Sequence, residues 1–180
     1  PRMLNKKPYA RYSLVHRQYH ALIKHRLNLA IRVGAQGKVG KNELPFYRRT
    51  QLISPFATRS NVTGLGGDNS LRGILKNRLV GDGMAYSNLE LRWRAFNFDL
   101  FNQHFYIGFN GFVDLGLITD AVDMNLDGLS LADRSTYFEA TTEQPLHASA
   151  GGGLKLAMNE NFVVSVDMGK ALDKRDGEGL

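Results

Sequence analysis

Arg72 is the residue whose surroundings define its chemistry most clearly. It lies in a loop with several glycines, Gly66–Gly73, and glycine permits close backbone approach and dihedral angles that other residues avoid. Two carboxylates, Glu90 and Asp114, follow on the polar faces of the next two alternating segments. A guanidinium can donate charge-assisted, two-pronged hydrogen bonds to carboxylates. The three side chains could therefore form one ion-pair cluster, and the alternative is three charges that water solvates separately.

His147 and Ser149 are the residues that could act as the base and the nucleophile of a hydrolase. Two positions apart on a strand they share a face, and a histidine can activate a serine hydroxyl. No third residue that would orient the histidine can be assigned, and the pair falls on the polar face of its segment. We therefore expect no catalytic residue and no enzymatic activity, and interpret the pair as a histidine at a strand entrance and a small residue on the polar, lumen side.

Oxygen-bearing side chains recur at alternate positions in one polar stretch. Asp123, Asn125 and Asp127 precede Gly128, as in the first half of a calcium-binding loop. The twelfth position is Arg134, where such a loop requires a bidentate glutamate. A full calcium loop is therefore excluded, and we interpret the stretch as an acidic, solvated turn with at most a weak calcium contact. We expect no metal site and no cofactor.

The segments around these side chains show a regular alternation of apolar and polar residues. A period of two predicts β-strands. The alternating segments are 25–34, 84–96, 104–118, 147–158 and 162–170, with a weaker one at about 9–19. The sequence thus predicts an all-β, antiparallel fold of about six strands, without an amphipathic helix.

The connections between these strands alternate in length. Short turns are expected near 21–24, 97–103 and 159–161, and long connections at about 35–83 and 119–146. Outer-membrane barrels have short periplasmic turns and long extracellular loops, and tilted strands of about ten residues can cross a bilayer. We therefore predict a transmembrane β-barrel in preference to a soluble sandwich. Because barrels close with about eight strands or more, residues 1–180 should be part of a larger barrel domain or be completed by other chains.

Composition excludes several other classes of protein. The 180 residues contain no cysteine, which removes disulfide scaffolds and thiol chemistry. The net charge of +6 and the pI of about 9.7 would suit nucleic-acid binding. The basic residues, however, recur at strand spacing within the first 60 positions, which is typical of the polar side of a sheet. We expect no nucleic-acid partner.

A glycine-rich motif and five further segments resemble one family in sequence order. Residues Leu65–Ile74 read Leu-Gly-Gly-Asp-Asn-Ser-Leu-Arg-Gly-Ile. They resemble the signature loop of the BamA/TamA superfamily of outer-membrane assembly and translocation barrels. The other matching segments are Gly40–Tyr47, Asn88–Arg92, Phe112–Gly116, Ser149–Leu154 and Val166–Gly179. The resemblance spans nearly the whole chain.

The resemblance implies that the chain is the C-terminal third of a 16-stranded barrel without its closing strand. It also implies that the motif Leu71, Arg72, Gly73, Ile74 folds back into the barrel lumen, where Arg72 contacts Glu90 and Asp114 on the inner wall. We predict that this cluster is a structural latch. Two features depart from the family pattern: Ile74 replaces the usual aromatic residue, and the segment Arg48–Gly64 carries extra residues.

The function implied by the resemblance is non-enzymatic. An integral protein of the bacterial outer membrane would assist the insertion of other barrel proteins or pass polypeptides across the membrane. Its expected partners are membrane lipid and lipopolysaccharide, client outer-membrane polypeptides and accessory envelope proteins. Two alternatives stay open: an accessory or scaffold barrel without insertase activity, which the extra segment Arg48–Gly64 would suit, and an outer-membrane lipid hydrolase.

Overall fold

The chain forms one antiparallel sheet whose strands are neighbours in chain order. The computed structural model describes residues 8–42, 44–45, 48, 64–122, 127–128, 130–132, 146–159 and 161–177. The strands are β1 (Ala10–Ile23), β2 (Leu27–Val39), β3 (Gly83–Leu100), β4 (Gln103–Asp120), β5 (His147–Met158) and β6 (Phe162–Ala171). The sheet order is β1-β2-β3-β4-β5-β6. The predicted all-β antiparallel fold of six strands is confirmed.

Helical residues are few in the part of the chain that the structure describes. A single turn of 3-10 helix, Lys174–Asp176, follows β6, and the side chain of Asp173 caps it by accepting from the N–H of Arg175. In the described part of the chain, no helix has the length and apolar character that crossing a membrane requires.

Several strands extend further than the alternation predicts. β2 continues to Val39, so the first long connection occupies 40–82 rather than about 35–83, and the second occupies 121–146. The expected turn at 97–103 is only the two residues Phe101 and Asn102. The reason is a β-bulge at Ala95, where the register shifts between Arg94 and Phe96. One extra residue reverses the alternation, and the apolar face then continues through the residues after it.

The polar side of the sheet is its buried side. Buried polar residues on the strands are Gln36, Asn88, Glu90, Asn110, Asp114 and Ser149. Apolar residues on the opposite face are exposed, among them Leu89, Leu91, Trp93, Phe109, Val113, Leu154, Val164, Val166 and Met168. A soluble sheet buries its apolar side, so this arrangement is the inverse of a soluble fold and matches a strand with lipid on one side.

Residues 64–82, the last part of the connection between β2 and β3, pack on the polar side of the sheet and form the apolar core together with residues of the strands. They include Leu71 and Ile74, and Ile74 is only 3% exposed. The cluster consists of Leu65, Leu71, Ile74, Leu79, Met84, Tyr86, Ile118 and Ala171. Isoleucine at position 74 therefore fills a buried site between the loop and the sheet.

Candidate functional site

The loop that carries Arg72 is shaped by backbone hydrogen bonds at its base. Leu65 and Leu79 form an isolated antiparallel bridge, with N–H to carbonyl distances of 3.0 and 3.1 Å. Inside it, the N–H of Gly67 donates to the carbonyl of Ile74 at 2.9 Å. Gly66 has a φ of +117°, a backbone conformation in which a residue with a side chain would be strained. The loop is therefore a closed, compact turn whose tip, Leu71–Ile74, points at the sheet.

Arg72 is held by two carboxylates from neighbouring strands. Its Nε donates to Asp114 Oδ2 at 2.9 Å and its Nη2 donates to Asp114 Oδ1 at 3.0 Å, which is the two-pronged geometry. The backbone N–H of Arg72 adds a third bond to Asp114 Oδ2 at 3.0 Å. Its Nη1 donates to Glu90 Oε2 at 2.8 Å. The structure thus brings together Arg72, Glu90 and Asp114, while the latch role of this cluster stays a prediction.

Further charged side chains surround Arg72, Glu90 and Asp114. Arg92 Nε and Lys155 Nζ donate to the second oxygen of Glu90, at 2.8 and 3.2 Å. A third carboxylate, Asp167 on β6, lies 4.0 Å from Arg72 Nη1. Three cations thus face three carboxylates, and Asp114 is fully buried. Such a network is stable only while every member keeps its partners, because an unpaired buried charge is costly.

The charge of Arg72 is maintained by these partners. Burial alone would lower the pKa of the Arg72 guanidinium, but hydrogen bonds and charge from Asp114 and Glu90 outweigh burial and raise it. The guanidinium therefore keeps its positive charge while these contacts hold.

An aromatic ring packs against the guanidinium. Arg72 Cζ lies 3.6 Å from the centroid of Phe112 on β4, a cation–π contact. The ring has room because the adjacent strand positions are glycines. A Cβ on Gly151 would come within 2.5 Å of Phe112 Cζ, and one on Gly169 within 3.1 Å. The sequence alone does not predict this contact.

Glycines on the strands also make room for the rest of the loop tip. A Cβ on Gly116 would overlap the side chain of Leu71. Gly73, with a φ of +81°, approaches β6 so closely that its own Cβ would lie 2.5 Å from the carbonyl carbon of Gly169. The loop tip therefore contacts β4 and β6 directly, backbone against backbone at Gly73.

A second set of hydrogen bonds ties the loop to β2 and β3. Buried Asn88 donates from Nδ2 to the carbonyl of Ser70 at 2.6 Å. Arg32 Nε in turn donates to Asn88 Oδ1 at 2.7 Å, and Arg32 Nη2 donates to the carbonyl of Asn69 at 3.0 Å. The loop is thus anchored to both halves of the sheet.

His147 has a partner that the sequence alone does not predict. Its Nδ1 lies 2.7 Å from Oδ2 of Asp176, a buried residue in the turn after β6. The same turn holds the loop, since the N–H of Leu75 donates to the carbonyl of Asp176 at 2.9 Å. Ser149 is fully buried, and its Oγ has no hydrogen-bond partner among the described residues. Histidine and aspartate are therefore paired, but the serine is not joined to them.

The remaining candidate residues fall largely outside the described part of the chain. Asp123 and Asn125 lie outside it, and only Asp127 of the three calcium candidates is described. Within the described residues no group of three or more acidic or histidine side chains could hold a metal ion. Of the extra segment Arg48–Gly64, only the two end residues are described.

Comparison with known proteins identifies one family. The model of the Omp85 superfamily domain matches residues 1–179. Neither a curated protein nor a solved structure matches the chain.

Proposed function

The chain belongs to the Omp85 superfamily, and on this premise we propose that it is part of a barrel of BamA/TamA type. Membership confirms the family that the sequence motifs indicated. It supports an outer-membrane β-barrel location and a non-enzymatic role in outer-membrane protein insertion or translocation in general. The finer proposal is that residues 1–180 belong to one barrel domain of 16 strands, with the two long connections on the extracellular side.

One observation carries the proposal: the sheet is polar inside and apolar outside. Outward residues such as Leu91 and Trp93 are 42% and 49% exposed, whereas Glu90 and Asp114 on the opposite face are buried. Exposing this apolar surface to water would be unfavourable, at roughly 25 cal/mol for each square ångström. Lipid removes that cost, so the arrangement favours a membrane-spanning wall.

The lumen loop supplies the second part of the proposal. In a closed barrel, the polar face of β3, β4 and β6 would be the inner wall, and Arg72 would fasten the loop tip to it. We assign this contact a structural role: it holds one side of the wall in shape while a client polypeptide is handled. No covalent step is involved, and no cofactor is required.

The proposed partners follow from the two faces. Membrane lipid and lipopolysaccharide would contact the apolar face, while client outer-membrane polypeptides and accessory envelope proteins would contact the rest of the barrel. Family membership supports client polypeptides and accessory proteins as classes of partner.

Depletion of the protein in the bacterium that produces it, followed by expression of wild-type or variant protein, tests this function. We expect depletion to reduce the amount of folded outer-membrane barrel proteins, or of exported polypeptide, while inner-membrane proteins stay constant. Wild-type protein should restore the level, Arg72→Ala should restore little, and Lys76→Ala, an exposed change in the same loop, should act as wild type. Depletion that leaves insertion and export unchanged would contradict the proposal.

A further inference from the structure

The turn between β3 and β4 carries a large apolar residue in a backbone conformation that disfavours it. Phe101 and Asn102 form this two-residue turn, since Leu100 pairs with Gln103. Their φ angles are +52° and +58°, and turns with two positive φ angles favour asparagine, aspartate and glycine. A bulky residue at positive φ is an outlier, and such outliers are commoner at sites of function than elsewhere.

Phe101 differs from the other residues that share its backbone conformation. In the described part of the chain, the other non-glycine residues with positive φ are all polar: His25, Asn77, Asn102 and Asn159. His25 and Asn159 lie in the two other short turns at the same end of the sheet. Phe101 is 88% exposed. Neither turn geometry nor packing among the described residues therefore explains a phenylalanine at this position.

Hydrogen bonds to the neighbouring turn fix the level at which Phe101 lies. The N–H of His104 donates to Oδ1 of Asn159 at 2.9 Å, and the N–H of Asn159 donates to the carbonyl of His104 at 2.7 Å. The β3–β4 and β5–β6 turns are thus joined at the end of the sheet where the short turns lie.

The outward apolar face of β3 leads directly to Phe101. Its exposed apolar residues on the two sides of the bulge are Leu89, Leu91, Trp93, Phe96, Phe98 and Leu100. Leu89 to Leu100 is twelve residues. A strand that rises about 3.3 Å per residue and is tilted by about 40° crosses an apolar band about 25 Å tall in roughly ten residues. Phe101 therefore lies near the level where hydrocarbon gives way to headgroups, which is where barrels carry their aromatic girdles.

We propose that Phe101 is inserted into this boundary of the membrane, so that the β3–β4 turn binds lipid instead of lying in water. The inference rests on the proposed function, since it needs the outward face of the sheet to lie in lipid. Lipid contact would remove the ring from water and offset its unfavourable backbone conformation.

The surroundings of the ring suit the headgroup level. Polar Asn102 and Gln103 follow it in the chain, and the interface accepts polar groups beside aromatic ones. The charged residues of this hairpin end, Asp99 and His104, pair with each other at 2.7 Å on the opposite face of the strands. Neither charge therefore has to enter lipid together with the ring.

Fluorescence quenching of the full-length protein in phosphatidylcholine vesicles tests the inference. Residues 1–180 contain no cysteine, and any cysteine elsewhere in the protein is replaced by serine. Phe101→Cys, His25→Cys and Leu91→Cys are each labelled with bimane. The quenchers are phospholipids that carry a nitroxide at the headgroup or in the acyl chain, and iodide on both sides of the membrane. We expect headgroup nitroxide to quench at position 101, and iodide to quench there several-fold less than at position 25.

The outcomes separate this inference from the proposed function. Quenching by iodide at position 101 as strong as at position 25 would overturn the lipid contact, and so would protection from both quenchers, which would indicate a protein partner. In either case, quenching of Leu91→Cys by acyl-chain nitroxide would leave the membrane placement of the sheet intact. A lack of that quenching at Leu91→Cys would contradict the membrane placement, and the inference with it.

The direction of a stability change provides a second test that needs no label. Asparagine adopts positive φ more readily than phenylalanine, so Phe101→Asn should raise the urea midpoint if the ring contacts only water. With the ring in the membrane, we expect the midpoint of the protein in vesicles to fall. His25→Asn, at a φ of +62° in an exposed turn, is the matched control and should not lower it. A midpoint that rises for Phe101→Asn would overturn the inference.

Discussion

Arg72 and Asp114 are joined by three hydrogen bonds, two from the guanidinium and one from the arginine backbone N–H. Because Asp114 is fully buried, its carboxylate has no water to replace a lost donor. Position 72 therefore requires both a charge and a planar fork of donors, and only arginine provides both.

Arg72→Lys should destabilise the protein although it keeps the positive charge. Lysine cannot donate to both oxygens of Asp114 while also reaching Glu90, so we expect the free energy of unfolding to fall by about 2 kcal/mol. Urea unfolding in lipid, followed by the fluorescence of Trp93, the single tryptophan of residues 1–180, measures the change. Arg26→Lys, in an exposed turn, is the matched control. Equal stability of the two variants would exclude the latch.

The two carboxylates should differ in importance. Asp114→Asn leaves the guanidinium facing an amide in a buried site, and we expect a loss of about 3 kcal/mol. Glu90→Gln should cost less, because the side chain of Glu90 is 10% exposed whereas that of Asp114 is fully buried, and because Arg72 retains Asp114. It removes one charge from a cluster with three cations, so added salt should reduce its effect. A larger effect for Glu90→Gln than for Asp114→Asn, measured by the same unfolding, would contradict the assigned geometry.

Gly73→Ala should prevent the loop tip from seating on β6. The new Cβ would lie 2.5 Å from the backbone of Gly169 and of Lys170, in addition to the strain of a φ of +81°. Gly40→Ala is a close control, since Gly40 has a φ of +89° but nothing within 4 Å of its Cβ position. We expect Gly73→Ala to cost about 1 to 3 kcal/mol more than Gly40→Ala. Protease cleavage within the loop should also increase only in the Gly73 variant.

Much of the fold could be predicted because strands impose a period of two on a chain with different surroundings on its two sides. The limits of β5 follow directly from the alternation at His147 and Met158. The end of β3 does not, since the bulge at Ala95 reverses the alternation, and the residues after it then read as a turn. A single inserted residue leaves no signal until the partner strand is known.

The site could be predicted only in its charged members. Arg72, Glu90 and Asp114 are visible because a guanidinium and two carboxylates need partners. The glycines that make room for the loop tip could not be predicted, because the role of Gly116 depends on Leu71 lying across from it. The pairing of His147 with Asp176 depends on how the chain turns after β6, which local sequence does not specify.

A charge on the outward face should reveal the lipid around the sheet. Lysine at an exposed position of a soluble protein is close to neutral in effect, whereas on the lipid face of a barrel it costs about 2 to 4 kcal/mol near the bilayer midplane. We expect Leu91→Lys to show this loss and Leu131→Lys, at a position that is 84% exposed outside the sheet, to show none. Unfolding of the reconstituted protein measures both, and two equal, small effects would contradict a lipid-facing sheet.

The most direct test of the account is to add an unfolded outer-membrane barrel client to vesicles that contain the full-length protein. Two readouts are followed, client folded into the membrane and client protected from protease inside the vesicle. We expect wild-type protein to raise one of them above the level in empty vesicles, and Arg72→Ala, reconstituted to the same level, to raise it much less. Wild-type protein that raises neither would contradict a role in insertion or translocation.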